Sequence, residues 1–201
     1  MKKGAKVFFI ILLVIIVLAA GFFCFAPKIK NMIDLRDAGN HRAKQQEAFS
    51  KLEYTVPAGY ETKEEDPEDW FLPDLVCGDK DGLLSVIEMQ AWDIADINMD
   101  SLLENVKPEN ARGGEIVKGP EAISVGGLEG KTITVQEQNG HFGGVCNYVF
   151  LASDEYVYKF TNSITVDSGY QGEIQDSDPC ITGFDEFINS IKLKQGVLIL
   201  P

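Results

Sequence analysis

The chain has 201 residues, room for one domain of ordinary size and a short additional segment. Its net charge of −13 is unevenly divided: residues from Leu52 onward carry 9 Lys and Arg against 28 Asp and Glu, a balance of −19, and those before it 9 against 3, a balance of +6. So acidic a region repels nucleic acid and anionic headgroups, so no nucleic-acid binding is expected; acidity that only keeps an exported domain soluble is the favoured reading, with a surface for cationic partners as the sharper alternative.

Behind Lys2, Lys3 and Lys6 lies an apolar run, Val7 to Ala26, of twenty residues without a charge, Pro or Asn. As a helix rising about 1.5 Å per residue it spans roughly 30 Å, the thickness of a bilayer's hydrocarbon. The run is longer than a signal-peptide core, and its two cleavage-like sites, Ala19-Ala20-Gly21 and Cys24-Phe25-Ala26, are weak, the second being followed by Pro27. An uncleaved anchor is expected, with a cleaved signal and secretion as the lesser option. Phe23 before Cys24 rules out a lipobox. Lysines and arginines flank the run on both sides. The positive-inside count taken alone leans towards a cytoplasmic domain, but long domains translocate largely regardless of charge and a six-residue tail stays easily in the cytoplasm, so a single-pass topology with the large domain outside the cell membrane is expected.

The chain then divides into a short tail over 1–6, the anchor over 7–26, a helical stalk over 27–51, an extracytoplasmic domain over 52–194 and a tail over 195–201. In the stalk, Ile29, Met32 and Ile33 share one face, Gly39-Asn40 interrupts, and Ala48, Phe49 and Leu52 resume apolar spacing. Its charges alternate in sign as on a solvated helix, so a plain spacer is favoured, with an interfacial helix or self-association as the alternatives.

From Leu52 the period shifts towards 2. Tyr54 and Val56 mark a first strand ending in the turn Pro57-Ala58-Gly59-Tyr60, followed by an exposed acidic loop from Glu61 to Asp69 and a return to the core at Trp70-Phe71-Leu72. Leu75 to Cys77 and Leu83 to Trp92 form a hairpin around Gly78 to Gly82, with Leu83, Ser85, Ile87, Met89 and Ala91 on one face. Asp100 caps a short helix over Ser101 to Val106, ended by Pro108. Strands follow at Ile116 to Val117, Ala122 to Val125, Leu128 to Gln136, Val145 to Ala152 and Tyr156 to Ile164, with turns at Gly126-Gly127, Asn139-Gly140 and Ser153-Asp154. Thr182 with Asp185 starts a last helix whose apolar face is Phe184, Phe187, Ile188 and Ile191, and an apolar tail closes the chain at Val197 to Leu200. Strands punctuated by few helices predict an α+β fold, an antiparallel sheet covered by helices.

This order resembles the PsbP-like domain, the family of the extrinsic oxygen-evolving-complex protein. The likeness rests on Tyr54 to Tyr60, on Val125-Gly126-Gly127-Leu128-Glu129-Gly130 before a long strand, on the tyrosine-rich strands between Cys146 and Phe160, and on the helix Phe184 to Leu193 with Ser190-Ile191-Lys192 near its end. It covers most of residues 52–194 and implies an exported α/β/α sandwich that binds or assembles rather than catalyses. The anchor and the acidic loop depart from the photosynthetic protein, so its role is not implied.

Recognisable chemistry is sparse. Gly130-Lys131-Thr132 ends a near P-loop, but Val125 stands where the first glycine belongs and Ile133-Thr134-Val135 is strand-like where a helix must begin. Cys77 to Glu88 overlays a calcium loop through Asp79, Asp81, Gly82 and Glu88, yet Cys77 at the first position is a poor ligand for a hard cation, and a hairpin turn accounts better for the stretch. Asp93, Asp96 and Asp100 offer further oxygens at a spacing common in solvated loops. Of the two histidines, His41 lies in the stalk and His141 beside a turn; no Cys or His pair has zinc spacing. Trp70, Phe71 and Trp92 offer a groove lining, but at strand spacing core positions are favoured.

No catalytic, cofactor-binding or metal-binding residue and no cofactor is therefore expected. The favoured reading is a membrane-anchored, non-catalytic binding or assembly module with a protein or small-molecule partner; the alternative is a tethered hydrolase using acidic residues and His141 as its base. The thiols test the topology. Cys146 falls inside a strand, where a thiol is usually a small buried hydrophobe, which leaves Cys77 and Cys180 as the pair for an oxidising compartment, with Cα atoms within about 7 Å. The alternative is three reduced, packed thiols.

Overall fold

Five strands of 11 or 12 residues carry the structure. In this computed structural model the described residues are 37–64, 70–78, 82–106, 115–139, 142–166 and 178–194. The anchor over 7–26, the acidic stretch 65–69, the turn residues Asp79 and Asp81, His141 and the apolar tail 197–200 lie outside them. Among the described residues no helix is long and apolar enough to cross a membrane.

The short strands are β1 (Leu52–Glu53), β2 (Glu61–Thr62), β3 (Leu75–Gly78) and β9 (Lys192–Leu193). The long ones are β4 (Leu83–Asp93), β5 (Glu115–Val125), β6 (Leu128–Asn139), β7 (Phe142–Ala152) and β8 (Tyr156–Val166). A seven-stranded sheet runs β2-β3-β4-β8-β7-β6-β5, every neighbouring pair antiparallel, and β1 pairs with β9 beside it. Among the described residues three helices complete the fold: α1 over residues 37–50, α2 (Met99–Val106) and α3 (Pro179–Ser190).

Strand alternation decides which helix covers which face. Leu83, Ile87, Met89 and Ala91 of β4 join Tyr158 and Phe160 of β8 in one core, against Phe49 of α1 and Phe187 of α3. The alternate residues Ile133, Val135, Phe150 and Val157 point the other way, under Leu102, Leu103 and Val106 of α2. The result is three layers, helices on both faces of an antiparallel sheet, the α+β arrangement expected.

Several boundaries differ from the sequence reading, each for a local reason. The stalk's second half is no spacer. Ala38, Gln45, Ala48, Phe49 and Leu52 form a buried stripe at helical spacing, and α1 runs unbroken through Gly39-Asn40, whose residues face outward. Asp37, Lys44 and Glu47 of the alternating charges lie on its exposed face, whereas Arg42 is half-buried. Gln45 explains the docking: its Nε2 donates to Ala91 O at 2.7 Å and its Oε1 accepts from Ala91 N at 2.7 Å. At Ala91 the partner strand β3 has already ended, and a side-chain amide takes the place of its backbone.

The first strand is shorter than expected. Only Leu52–Glu53 pairs, Val56 is exposed, and Tyr54 packs on Phe187 with ring centroids 5.4 Å apart. Trp70 and Phe71 do not return to the core: they are 47% and 38% exposed and lie against His41. Asn98 rather than Asp100 caps α2, its Oδ1 accepting from Ser101 N at 2.9 Å. Helix α3 begins before Thr182, where Asp178 accepts from Cys180 N and Pro179 holds the first turn. The two strands expected between Ile116 and Val125 are one edge strand, β5, with register shifts around Gly119-Pro120; an edge position tolerates the missing proline N–H.

The turn Gly126-Gly127 is as read, with φ of 56° and 87°, the left-handed pair of a two-residue hairpin. Gly126 has a second reason to be glycine, since a Cβ there would meet Ile191 O as the chain crosses to β9. The pairing of Cys77 with Cys180 is present, with Cα atoms 5.3 Å apart across a separation of 103 residues, and Cys146 is buried in β7 with Sγ 3.4 Å from Ser163 Oγ.

Candidate functional site

Helices α1 and α3 both gather over the β3-β4-β8 half of their face. Among the described residues no helix covers the β7-β6-β5 half of that face, and a groove of about 430 Å³ opens there beside α3. Its helical wall is the stripe Ile181, Phe184 and Ile188, with Asp185 and Asn189 at the rim. These positions recur at helical spacing, so the α3 face that docks at Phe187 presents its neighbouring flank to the groove. The floor is Thr132 and Thr134 of β6 with Asn147 and Val149 of β7, and the far side is Ile123 and Lys118 of β5.

The floor is polar where strand periodicity demands an apolar residue. Thr134 pairs with Asn147, and Asn147 with Asn162, in one rung across β6, β7 and β8. Thr134 Oγ1 donates to Asn147 Oδ1 at 2.9 Å, and among the described residues no partner meets the Asn147 Nδ2. Asn162, fully buried, donates from Nδ2 to Ser85 Oγ at 2.7 Å, and its Oδ1 has no hydrogen-bond partner. From Ser85 the chain continues to Tyr60 Oη at 2.7 Å, which donates to Cys180 O at 3.1 Å. Tyr60 lies close against α3 because residue 183 is glycine; a Cβ there would meet the Tyr60 ring. Burial pushes the Tyr60 phenol up, and its hydrogen bonds to Ser85 and Asn162 partly oppose this. The network thus links the disulfide and the start of α3 to Asn162, the register neighbour of Asn147 on the groove floor.

At the rim, Lys118 Nζ lies 3.4 Å from Glu121. Asp185 has no ion-pair partner among the described residues. The groove therefore offers branched apolar walls, carboxamide and hydroxyl groups on its floor and a carboxylate at its mouth.

Apart from Thr132 on the groove floor, the described residues singled out from the sequence for their chemistry fall elsewhere. His41 on α1 accepts from Gln45 Nε2 at 3.2 Å and touches Trp70 and Phe71, with centroids 5.6 and 5.4 Å away. Burial and Lys44 hold its imidazole below the ordinary value. Trp92 packs on the α2 side of the sheet. The aspartates serve separate local roles: Asp93 accepts from Ala95 N at 2.8 Å, and Asp100 accepts from Lys131 Nζ at 2.9 Å. Gly130-Lys131-Thr132 lies within β6, and the calcium-loop positions Cys77 and Glu88 are a disulfide half and a strand residue. Burial pushes Glu88 up and Lys159 down, each opposed by the other's charge, and Lys159 Nζ stands 5.5 Å from the centroid of Tyr148. Among the described residues no group of three or more His, Cys, Asp or Glu gathers to hold a metal ion.

No family model matches the sequence, and no curated protein matches it. Among solved structures the chain is similar to LpqN of Mycobacterium tuberculosis, a protein involved in cell envelope biogenesis, with a TM-score of 0.52 and 10% identity over 72% of this chain and 83% of that one. It is also similar to a protein of Bacteroides thetaiotaomicron VPI-5482, with a TM-score of 0.41 and 12% identity over 76% of this chain and 48% of that chain. At these identities the first likeness is one of fold.

Proposed function

We propose that this chain is a single-pass, membrane-anchored module whose folded part stands outside the cytoplasmic membrane and binds a partner without catalysing a reaction. The groove beside α3 is its binding site. The observation that carries this reading is the groove's chemistry: apolar walls with a few convergent polar groups are the pattern of a recognition site, and the groups on its floor are carboxamides and hydroxyls, which hold hydrogen bonds rather than exchange protons. The apolar run Val7 to Ala26 supports the anchor, and the involvement of LpqN in envelope biogenesis supports the location. The PsbP-like resemblance stands with both, since it too implies an exported binding domain. A balance of −19 from Leu52 onward favours a cationic partner and disfavours nucleic acid.

The test uses the full chain in its membrane. Carbonate washing should leave it in the pellet, and protease added to spheroplasts should reach the folded part. A photo-crosslinker replacing Asn189, at the groove's rim, should give a discrete adduct that the same group at exposed Glu104 on α2 does not. Mature protein in the medium would remove the anchor, and indistinguishable labelling from the two positions would remove the groove as the site.

A further inference from the structure

Resting on that reading, we infer that the groove takes an extended peptide segment of a basic partner protein, with one apolar side chain seated between α3 and the sheet and a basic side chain beside Asp185. The occupant has to match three features at once. The walls, Ile181, Phe184 and Ile188 facing Ile123, with Val149 on the floor between them, call for a branched or aromatic body. The floor calls for a hydrogen-bonding group directly attached to that body. An acyl chain would bury the Thr132 hydroxyl and the Asn147 Nδ2 against carbon and leave them without partners, which is costly. A saccharide would satisfy the floor and leave the branched walls against hydroxyls. A peptide carries an amide on either side of each apolar side chain, at the spacing of one residue.

Asn147 fixes where that amide goes. Its Oδ1 is engaged by Thr134 and its Nδ2 is not, so the floor presents a donor pair. A ligand carbonyl takes one N–H. The other turns to Asn162 Oδ1, the buried acceptor without a partner in the register position beside it. Occupancy thus completes a network that is otherwise one bond short.

Charge selects the flanking residues. Lys118 is paired with Glu121, whereas Asp185 is exposed, followed by exposed Glu186, and has no ion-pair partner among the described residues. Against a region of charge −19, a basic peptide is drawn in and an acidic one repelled.

The probes are five fluorescein-labelled peptides, acetyl-Lys-X-Lys-amide with X as Val, Ile, Leu, Met or Phe, titrated by anisotropy against the full chain in nanodiscs, with acetyl-Asp-Leu-Asp-amide, octanoate and chitobiose as competitors. At least one basic peptide should saturate with a Kd below about 1 mM. Asn147→Leu and Asp185→Lys should each weaken it about tenfold, and Glu104→Lys, the same charge change on α2, less than about twofold. Circular dichroism of each variant separates lost affinity from lost folding, and Asn147→Gln, which keeps the carboxamide, should recover part of the binding. Saturation by none of the five, or binding indifferent to both groove variants, overturns the peptide assignment, as does displacement by octanoate or chitobiose but not by unlabelled basic peptide. If the peptides fail while the crosslinker at position 189 still gives its adduct, the ligand class falls and the binding reading stands; if both fail, both fall.

Discussion

Truncating Phe49 to Ala tests whether α1 belongs to the folded unit or is only a tether. The ring is 5% exposed and meets Tyr158 and Phe160 edge-on, with centroids 5.5 and 5.9 Å away. Loss of a buried phenylalanine, cavity included, costs about 3 to 5 kcal/mol. The whole of α1 matters more, because Gln45 supplies both hydrogen bonds at Ala91 and the Ala48 carbonyl accepts from Tyr158 Oη at 3.2 Å. Each such bond contributes about 1 kcal/mol net, and a buried group left unpaired costs about 1 to 3. Summed against the roughly 5 to 15 kcal/mol that holds a typical domain together, removal of α1 consumes most of it. A chain beginning at Leu52 should therefore unfold without a cooperative transition, and one beginning at residue 37 should fold. For Phe49→Ala in the longer chain, urea melts followed by far-UV circular dichroism should show the midpoint falling by at least about 1 M at an unchanged slope. A change within about 0.5 kcal/mol, the range of surface substitutions, would refute the docking of α1.

Breaking the bridge with Cys77→Ser, Cys180→Ser should lower stability by about 4 to 5 kcal/mol in the chain-entropy account, given the 103-residue separation; a urea midpoint that dithiothreitol does not move would contradict a formed disulfide. Burial pushes Tyr158 from 10.0 up to about 12, so the folded state holds its proton longer than the unfolded one. The resulting stability is complete below pH 10 and is lost between about pH 10 and 12, on the order of 2 to 3 kcal/mol, and Tyr158→Phe should flatten that limb of the pH–stability curve. His41 behaves oppositely: held below its ordinary 6.5, it favours the folded state while neutral. Stability should drop as pH falls through 6.5 towards the folded-state value, and His41→Gln should remove that slope in melts between pH 7 and 5.

How far the sequence carried these conclusions depends on the range of the interaction concerned. Alternation along Leu83 to Ala91 separated the two faces of β4 correctly, because a strand's period is local, and the set Leu83, Ser85, Ile87, Met89 and Ala91 is the buried one. The apolar face of α3 was equally plain. The disulfide was readable because a thiol inside β7 takes the parity of its strand, which set Cys146 apart from the two thiols near turns. Docking of α1 was not readable: its stripe contains a glutamine, and only the tertiary fact that β3 ends before Ala91 makes a glutamine the right residue there. Trp70 and Phe71 misled for the converse reason. Their composition fits a core, but their packing against a surface histidine is a contact between distant segments with no periodicity to announce it.

The groove lay beyond the same horizon, since its lining comes from four strands and a helix and no spacing links Lys118, Asn147 and Asp185. One local signal did exist. Cys146-Asn147-Tyr148-Val149-Phe150 and Phe160-Thr161-Asn162-Ser163-Ile164 each carry an asparagine in the middle of a strand where a branched apolar residue packs better. Strand register then sets those two asparagines side by side, on the inner face, with Thr134 completing the row. A row of carboxamides with one acceptor unpartnered is a poor solution to packing, because each unpaired buried polar atom costs about 1 to 3 kcal/mol that valine would not. Exceptions to local rules of this kind gather where a protein meets its ligands, and here the exception lies under the wall of an open groove. Paired polar residues at matched depths of neighbouring strands are therefore the mark to look for when a sheet is to be read for its binding face.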